Sequence, residues 1–287
     1  MDLRPDFYDR FSCLAGACRH SCCQGWEIDL DPDFLARCQA EPGKLGEDLR
    51  RSILRQEDGT PSFRLVGEEE KCPFLRPDGL CRLILEKGED FLCDICALHP
   101  RFFQEIGSWE LSGVGLCCEA AAALLLDQPG GLTLLDQDDR PWSFPQAAEL
   151  LGLPFSQEEL TFTPKVDADY YRAIFARYAP CEAIDAAWSR DLAALSATPE
   201  KVAEQARAYV AQDYEPVVFQ RIFHYLLYRQ LDLAEEYGLP ALLRFAREGA
   251  DFLLLWTAVT GDLADCLRRW SAQMEYSEDN VALLLGG

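Results

Sequence analysis

Cysteine is the residue type in this chain with the greatest capacity for chemistry. The 287 residues include 13 cysteines, and ten of these form groups between Cys13 and Cys118. The other three, Cys38, Cys181 and Cys266, stand alone in helical patterns and are expected to be buried as small apolar residues. Because free core cysteines scatter along a chain, the ten grouped thiols predict a metal centre or a redox centre.

The spacing of these cysteines is typical of metal ligands. Cys13, Cys18, Cys22 and Cys23 lie within eleven residues and are followed by Trp26. A tetrahedral thiolate site holds its ligands about 2.3 Å from the ion and usually collects them from close-spaced pairs. Adjacent cysteines point apart along the backbone, so each doublet is expected to give one ligand to a site or to serve two sites. The later groups are Cys72 with Cys81, Cys93 with Cys96, and Cys117 with Cys118.

The identity of the metal is narrowed by the ligand types. Zinc and iron–sulfur clusters both accept four thiolates. Ten grouped cysteines beside only three histidines favour an iron–sulfur cluster, expected as 4Fe-4S, with zinc as the alternative. The spacing differs from Cys-x3-Cys-x2-Cys, so the ligation typical of radical S-adenosylmethionine enzymes is not expected.

Composition and charge exclude two classes of partner. Acidic residues outnumber basic ones by 49 to 27, which gives a formal charge of −22. No run of Lys or Arg offers a surface for phosphates, so nucleic acid is not an expected partner. The apolar run 120–126 is far shorter than the roughly 20 residues that span a bilayer, and the charged N-terminus lacks a secretory signal. We therefore expect a cytoplasmic protein, without membrane association, whose thiols stay reduced.

The pattern of elements predicts a mainly α fold. An irregular, cysteine-rich, metal-binding N-terminal half is expected to pack on an all-α C-terminal half. The expected divisions are 1–126 for the cysteine-rich region, 127–145 for a Pro/Gly/Asp-rich linker and 146–287 for the helical region.

Individual elements follow from caps and periodicity. Asp31 with Pro32 predicts a helix start, a second helix is expected over 45–56, and a buried helix begins at Glu119. Short extended segments are expected at 26–30, 62–66 and 104–111. Helical periodicity predicts further helices over 167–178, 181–195, 198–212, 214–237, 240–248 and 263–274.

The first cysteine group also carries a resemblance to a known family. Asp6-Phe-Tyr-Asp9 precedes Phe11-x-Cys13-x4-Cys18-x3-Cys22-Cys23-x-Gly25-Trp26-x-Ile28-x-Leu30, which resembles the opening of flagellin lysine-N-methylases. The resemblance continues through Cys72-Pro-Phe-Leu75, Asp78-Gly-Leu-Cys81, Cys96 with Pro100-Arg101, and Leu111-Ser112 before Cys117 and Glu119. It extends more weakly to Tyr214-Glu215 and to Tyr225-Leu-Leu-Tyr-Arg229.

The resemblance implies a set of metal ligands. The family pattern uses eight cysteines, which map onto Cys13, Cys18, Cys22, Cys23, Cys72, Cys81, Cys96 and Cys117. Cys93 and Cys118 are extra to that pattern. His99 stands where the family tends to carry an aromatic residue, so it is expected to be an ordinary polar residue and not a ligand.

The resemblance further implies an activity. It indicates a protein-lysine N-methyltransferase that contains an iron–sulfur centre, uses S-adenosylmethionine and acts on lysines of flagellin or a similar protein. Free lysine has a pKa of about 10.4, so a site must desolvate or deprotonate the amine before methylation. The pattern identifies no catalytic residue, and Tyr8 and Glu119 are the candidates.

The donor site is less visible in the sequence. Ser112-Gly-Val-Gly-Leu116 is the nearest match to a glycine-rich cofactor loop, but no βαβ pattern follows it. Donor binding is therefore expected near the cysteines, where Arg101 would hold a carboxylate and Trp26 would lie against a sulfonium. A salt bridge for Arg101 and a core contact for Trp26 are the structural alternatives.

Two other functions stay open at this point. One is a non-enzymatic metal-binding or redox-sensing module whose helical half binds a partner. The other is a redox protein with labile disulfides, for which the spacing of Cys93 and Cys96 is the only suggestive motif.

Overall fold

The computed structural model describes residues 1–287 and places them in two units that are interleaved along the chain. The sheet–helix unit consists of Met1–Phe11 together with Phe102–Gly287, and the cysteine unit is Ser12–Arg101. More than half of the residues are helical, which confirms the mainly α fold, and a small mixed sheet accompanies the helices. None of the helices is both long enough and apolar enough to cross a membrane.

The elements have the following bounds. The strands are β1 (Asp2–Pro5), β2 (Ile53–Arg55), β3 (Pro61–Phe63), β4 (Arg101–Ile106), β5 (Trp109–Val114), β6 (Thr133–Asp136) and β7 (Pro141–Ser143). The first six helices are α1 (Pro32–Ala40), α2 (Gly43–Ser52), α3 (Arg82–Lys87), α4 (Asp94–Leu98), α5 (Glu119–Leu126) and α6 (Phe144–Leu150). The others are α7 (Ala168–Tyr178), α8 (Ala186–Ser196), α9 (Pro199–Gln212), α10 (Pro216–Tyr228), α11 (Ala234–Tyr237), α12 (Leu239–Thr260), α13 (Leu263–Met274) and α14 (Glu278–Gly286).

A five-stranded sheet in the order β4-β5-β1-β6-β7 organises the sheet–helix unit. β1 is its middle strand, parallel to β5 and antiparallel to β6. Leu3 of β1 stands opposite Leu111 of β5, and both side chains are fully buried. The first residues of the chain therefore belong to the core of the sheet–helix unit and not to the cysteine unit.

The chain is thus divided differently from the expected 1–126, 127–145 and 146–287. The segment 127–145 holds β6, β7 and the start of α6 instead of a linker. Its turn residues close the hairpin between these two strands: the carboxylate of Asp136 accepts hydrogen bonds from the backbone N–H groups of Asp138 and Arg140. Pro, Gly and Asp favour turns both in hairpins and at domain boundaries, and in this segment they form a hairpin.

Each of the six ranges predicted to be helical after residue 166 holds a helix. The predicted helix ending at Glu248 instead continues to Thr260 as the 22-residue α12. Gly249 lies within α12. A Cβ atom at residue 249 would stand 2.6 Å from the Trp270 side chain, so this position favours glycine. The glycine allows α12 and α13 to approach closely and does not end the helix. The range 214–237 is interrupted after Tyr228, and α14 is an additional helix.

The aromatic residues of α10 are core residues, as their helical spacing predicts. Phe223, Tyr225 and Tyr228 have no exposed surface. The Tyr228 hydroxyl donates to the backbone carbonyls of Leu3 and Ser112 at 2.8 and 2.9 Å, which ties α10 to two neighbouring strands. Buried tyrosine hydroxyls need such partners, and these bonds satisfy them.

The cysteine unit has a separate small core around Phe34, Phe63 and Phe74. Asp31 is the N-cap of α1, as predicted, and its Oδ1 accepts a hydrogen bond from the Phe34 N–H at 2.7 Å. The helix predicted over 45–56 ends at Ser52, and the chain continues as β2. A hairpin turn with Gly59 at φ +91° leads from β2 to β3.

Candidate functional site

Five thiols of the cysteine unit lie close enough to perturb one another's ionisation: Cys23, Cys72, Cys81, Cys93 and Cys96. Backbone contacts bring their segments together. The Cys72 N–H donates to the Cys23 carbonyl at 2.8 Å, and an isolated β-bridge joins Leu75 to Cys81. Cys81 and Cys93 are the residues immediately before α3 and α4. Two short helices and one bridge thus present thiols from four separate stretches of chain.

Burial makes it unfavourable for several thiols of this group to be ionised at the same time. Loss of hydration, with smaller contributions from the neighbouring Cys23 and Cys81, raises the pKa of Cys72 to about 12. Burial also raises the pKa of Cys81, with added repulsion from Cys23 and Cys93. A bound cation would reverse this balance because a coordinated thiol is deprotonated outright.

Two pairs of thiols within the cysteine unit are hydrogen-bonded. A hydrogen bond with Cys22 lowers the pKa of Cys23 to about 7. A hydrogen bond between Cys93 and Cys96 lowers the pKa of Cys93 and raises that of Cys96. In each pair, the hydrogen bond favours the thiolate form of one sulfur, that of Cys23 or Cys93.

The group overlaps the predicted ligand set but is not identical to it. Four of the eight predicted ligands belong to it, and Cys93, set aside as extra to the family pattern, belongs to it as well. The Cys93-x2-Cys96 spacing across the first turn of α4 is the sequence signal that identifies Cys93. Cys13 and Cys22 are exposed in the same unit, Cys18 is half-buried, and Cys117 and Cys118 lie in the sheet–helix unit.

The three isolated cysteines occupy the positions expected of them. Cys38, Cys181 and Cys266 are all buried, with 0 to 8% of each residue exposed. Burial raises the pKa of each thiol to about 11, so all three are protonated at neutral pH.

The donor chemistry of the thiol group suits a soft metal ion, but the coordination geometry is not preformed. No group of three or more Cys, His, Asp or Glu side chains is arranged to hold a metal ion. For three or four thiols to reach about 2.3 Å from one ion, side chains of the group must rotate. The metal-binding role of these cysteines therefore stays a prediction.

Cys117 lies in a different environment within the sheet–helix unit. Burial raises the pKa of its thiol to about 12, although a hydrogen bond with Tyr276 opposes this. The Arg229 guanidinium also acts on the thiol and favours its ionised form. Cys118 is the N-cap residue of α5 and is half-buried.

A buried polar cluster lies beside Cys117 and is not visible in the sequence pattern. Glu275 Oε2 accepts a hydrogen bond from the Ser271 hydroxyl at 2.6 Å, whereas Oε1 is buried without a hydrogen-bond partner. Gln104 donates from Nε2 to the backbone carbonyl of Arg229, and its Oε1 is likewise buried without a partner. Burial raises the pKa of Glu275, and the Arg229 charge offsets part of the cost. Buried unpaired acceptors are uncommon in folded proteins, which makes this cluster unusual.

The glycines of 112–116 have a packing role. A Cβ atom at Gly113 would stand 2.3 Å from the Phe102 ring, and one at Gly115 would stand 1.8 Å from the Tyr276 hydroxyl oxygen. Aromatic side chains fill the space beside these glycines that a bound ligand would need. The absence of a following βαβ pattern in the sequence agrees with this arrangement.

The candidate residues for catalysis and for donor binding are divided between the two units. Tyr8 and Glu119 belong to the sheet–helix unit, and Glu119 is the first residue of α5. Trp26 and Arg101 belong to the cysteine unit. All four side chains are half-buried and so retain some access to solvent.

Comparison with known proteins links this chain to lysine methylases. A segment of 137 residues is 27% identical to the Lysine-N-methylase of Salmonella typhimurium and covers 46% of this chain and 34% of that protein. A segment of 134 residues is 27% identical to the flagellar biosynthetic protein FliU of Salmonella muenchen and covers 45% of this chain and 79% of that protein.

The extent of this similarity is limited. The chain spans about a third of the length of the Lysine-N-methylases of S. typhimurium and Salmonella choleraesuis that it matches. No protein-family model matches the chain, and no solved structure matches it. These relatives nevertheless confirm the resemblance to flagellin lysine-N-methylases that the cysteine pattern predicts.

Proposed function

We propose that this protein takes part in the N-methylation of lysine side chains on flagellin or a similar protein, with S-adenosylmethionine as methyl donor. The observation that carries the proposal is the similarity of nearly half of the chain to proteins named Lysine-N-methylase. A relative named as a flagellar biosynthetic protein supports a flagellar substrate.

The proposed reaction sets clear chemical requirements. The lone pair of a neutral lysine amine attacks the sulfonium methyl group, the new N–C bond forms as the C–S bond breaks, and S-adenosylhomocysteine leaves. The methylated nitrogen then loses a proton. Because free lysine has a pKa of about 10.4, the site must lower the pKa of the amine or remove its proton before attack.

Candidate residues exist for each requirement. Tyr8 and Glu119 are the candidates for proton removal. Arg101 is proposed to bind the donor carboxylate, and Trp26 is proposed to contact the sulfonium through its ring face.

We further propose that the thiol group of the cysteine unit binds a metal centre, a 4Fe-4S cluster or alternatively zinc. Five mutually interacting thiols supply enough soft donors for either. The interaction of Cys93 with Cys96 supports including Cys93 among the proposed ligands. A bound metal would stabilise thiolates that burial otherwise disfavours.

A second candidate function is a non-enzymatic metal-binding module. The observation that favours it is that aromatic side chains fill the space at Gly113 and Gly115, the nearest sequence match to a cofactor loop. In that case, the cysteine unit would bind metal for stability alone, and a partner would bind the helical unit.

One preparation tests both functions. The protein is purified without oxygen, analysed for iron, zinc and sulfide, and incubated with flagellin and methyl-labelled S-adenosylmethionine. Label on flagellin lysines supports the methylase, provided that the variant with Arg101→Ala and Trp26→Ala loses the label while keeping its metal. Metal-containing protein that neither binds the donor in calorimetry nor labels flagellin supports the module.

A further inference from the structure

A groove in the cysteine unit has no grouped cysteine among its lining residues and has no role in the proposed reaction. It has a volume of about 480 Å³ and is lined by α1, the end of α2 and strand β2. Leu35 and Ala36 form the α1 side, and Ile53, Leu54 and Arg55 form the other. Ligand-binding cavities commonly have volumes of about 300–1,000 Å³, so the groove is large enough to hold a short segment of another molecule.

The β2 side of the groove is an open strand edge. β2 and β3 are antiparallel, with Leu54 opposite Ser62. The Arg64 N–H donates to Ser52 at 2.7 Å, and the Gln56 N–H donates to Thr60 at 2.9 Å. Hydrogen-bonded pairs alternate along an antiparallel ladder, so Leu54 forms the bonded pair between these two.

The same alternation directs the backbone N–H and C=O groups of Ile53 and Arg55 away from β3 and towards the groove. β3 has no free edge, because its other side bonds to the segment 28–30: Leu30 N–H donates to the Pro61 carbonyl at 2.9 Å, and Phe63 N–H donates to the Ile28 carbonyl at 3.0 Å. The outer edge of β2 is therefore the position at which this sheet can accept another strand. Exposed edges of this kind pair with extended chains.

The groove is also basic within a strongly acidic protein. The segment 50–64 holds four arginines against two carboxylates, although the whole chain carries a formal charge of −22. Two of these arginines line the groove. Arg50 Nη1 donates to the backbone carbonyls of Cys38 and Glu41 at 3.0 Å, and Arg55 Nη1 donates to that of Gly59 at 3.0 Å. These bonds hold the side chains in place without neutralising their charge.

We propose that this groove binds an acidic segment of a partner protein in extended conformation, as a strand added to β2. The backbone of the segment pairs with Ile53 and Arg55, and its carboxylates face Arg50 and Arg55. At about 3.3 Å per residue, the three residues of β2 span roughly 10 Å, so the paired part of the segment is about three residues long. The proposal is independent of the methylase reaction because none of the residues lining the groove belongs to that chemistry.

The test uses the full chain and a fluorescein-labelled Glu-Val-Glu-Val-Glu peptide, followed by fluorescence polarisation. The glutamates of this peptide stand opposite Ile53 and Arg55, so the same peptide with N-methylated glutamates, and the corresponding Lys-Val-Lys-Val-Lys peptide, serve as probes of backbone pairing and charge. We expect saturable binding of the acidic peptide only. In amide NMR, the Ile53 and Arg55 signals should shift more than the Leu54 signal, which already bonds to β3.

Matched variants locate the binding. Arg55→Glu should weaken binding by about tenfold or more, the effect of losing one charge-assisted contact and adding repulsion. Ala36→Trp should fill the groove and weaken binding similarly. Arg51→Glu and Ala40→Trp, outside the groove on the same two helices, should change binding by less than about twofold. Equal binding of the lysine or N-methylated peptide, or no saturable binding at about 1 mM acidic peptide, overturns the proposal.

Discussion

The Tyr276 hydroxyl lies against Gly115 so closely that a Cβ atom at residue 115 would stand 1.8 Å from the hydroxyl oxygen. This contact holds the end of α13 against the segment that follows β5, and the same hydroxyl is hydrogen-bonded to Cys117. A position without a side chain is therefore needed for the tyrosine to reach the thiol.

Gly115→Ala is expected to destabilise the protein by about 2–3 kcal/mol, because the added methyl group forces the buried Tyr276 ring or the backbone to move. The measurement is the free energy of unfolding in urea. Gly130→Ala is the control, since nothing lies within 4 Å of a Cβ atom there. Equal effects at both positions would contradict the packing explanation. The double variant with Tyr276→Phe should recover part of the loss, because the nearest atom is removed.

Arg221 is expected to contribute strongly to stability through its hydrogen bonds at the end of α5. Its side chain is 1% exposed, and its guanidinium donates to the carbonyls of Leu125, Leu126, Gln128 and Gly130, which closes the C-terminal end of α5. Arg221→Lys cannot reach all four acceptors and should cost about 3 kcal/mol. Arg140→Lys, at an exposed turn, should stay within about 0.5 kcal/mol. Similar urea midpoints for the two variants would disprove this role.

The helices of the sheet–helix unit follow from sequence because their caps and 3.6-residue periodicity are local. In the sheet, the predicted extended segment 104–111 falls on β4 and β5. The strand order does not follow from the sequence, because β1 pairs with strands more than 100 residues away and its four residues carry no local signal. The segment 127–145 shows the same limit, since Pro, Gly and Asp form both linkers and hairpin turns. In the sequence, Gly249 likewise resembles a helix end, because its packing against the Trp270 ring is a tertiary contact.

Stability should depend on pH through Asp251. Burial raises the pKa of its carboxyl to about 7, although the Lys165 N–H and the Tyr170 hydroxyl donate to it at 3.0 and 2.8 Å. Because the folded-state pKa exceeds the unfolded value of about 3.9, the protonated form favours folding. This contribution is present below about pH 4 and is lost as the pH rises to about 7. The other charged groups near this site are the Lys165 ammonium, Arg247 and Glu248.

Asp251→Asn should remove that contribution and flatten the pH dependence of the free energy of unfolding between about pH 4 and 7, by on the order of a few kcal/mol. Unfolding in urea at four pH values is the measurement. Asp138→Asn at the exposed β6–β7 turn is the control and should leave the slope unchanged. An unaltered slope in Asp251→Asn would show that another group titrates.

The number and spacing of the cysteines are sufficient to predict a group of interacting thiols, but not which cysteines belong to it. Cys93 belongs to the group because α4 turns it towards Cys96, and that turn is local. Cys117 belongs to the sheet–helix unit and not to the cysteine unit, and no spacing along the chain reveals this assignment. Gln104, Arg229 and Glu275 are brought together only by tertiary packing and carry no motif.

Metal binding should depend on Cys93 and not on the isolated cysteines. Cys93 is 1% exposed and interacts with Cys96, so replacement by serine removes a soft donor from the middle of the thiol group. Cys93→Ser is expected to lower bound iron or zinc by at least about tenfold at limiting metal, the usual scale for losing a ligand or its support. Cys181→Ser, equally conservative and also buried, should retain full metal content. Metal analysis of both proteins, purified without oxygen, is the measurement. Full metal content in Cys93→Ser would restrict the centre to cysteines of the eight-residue family pattern.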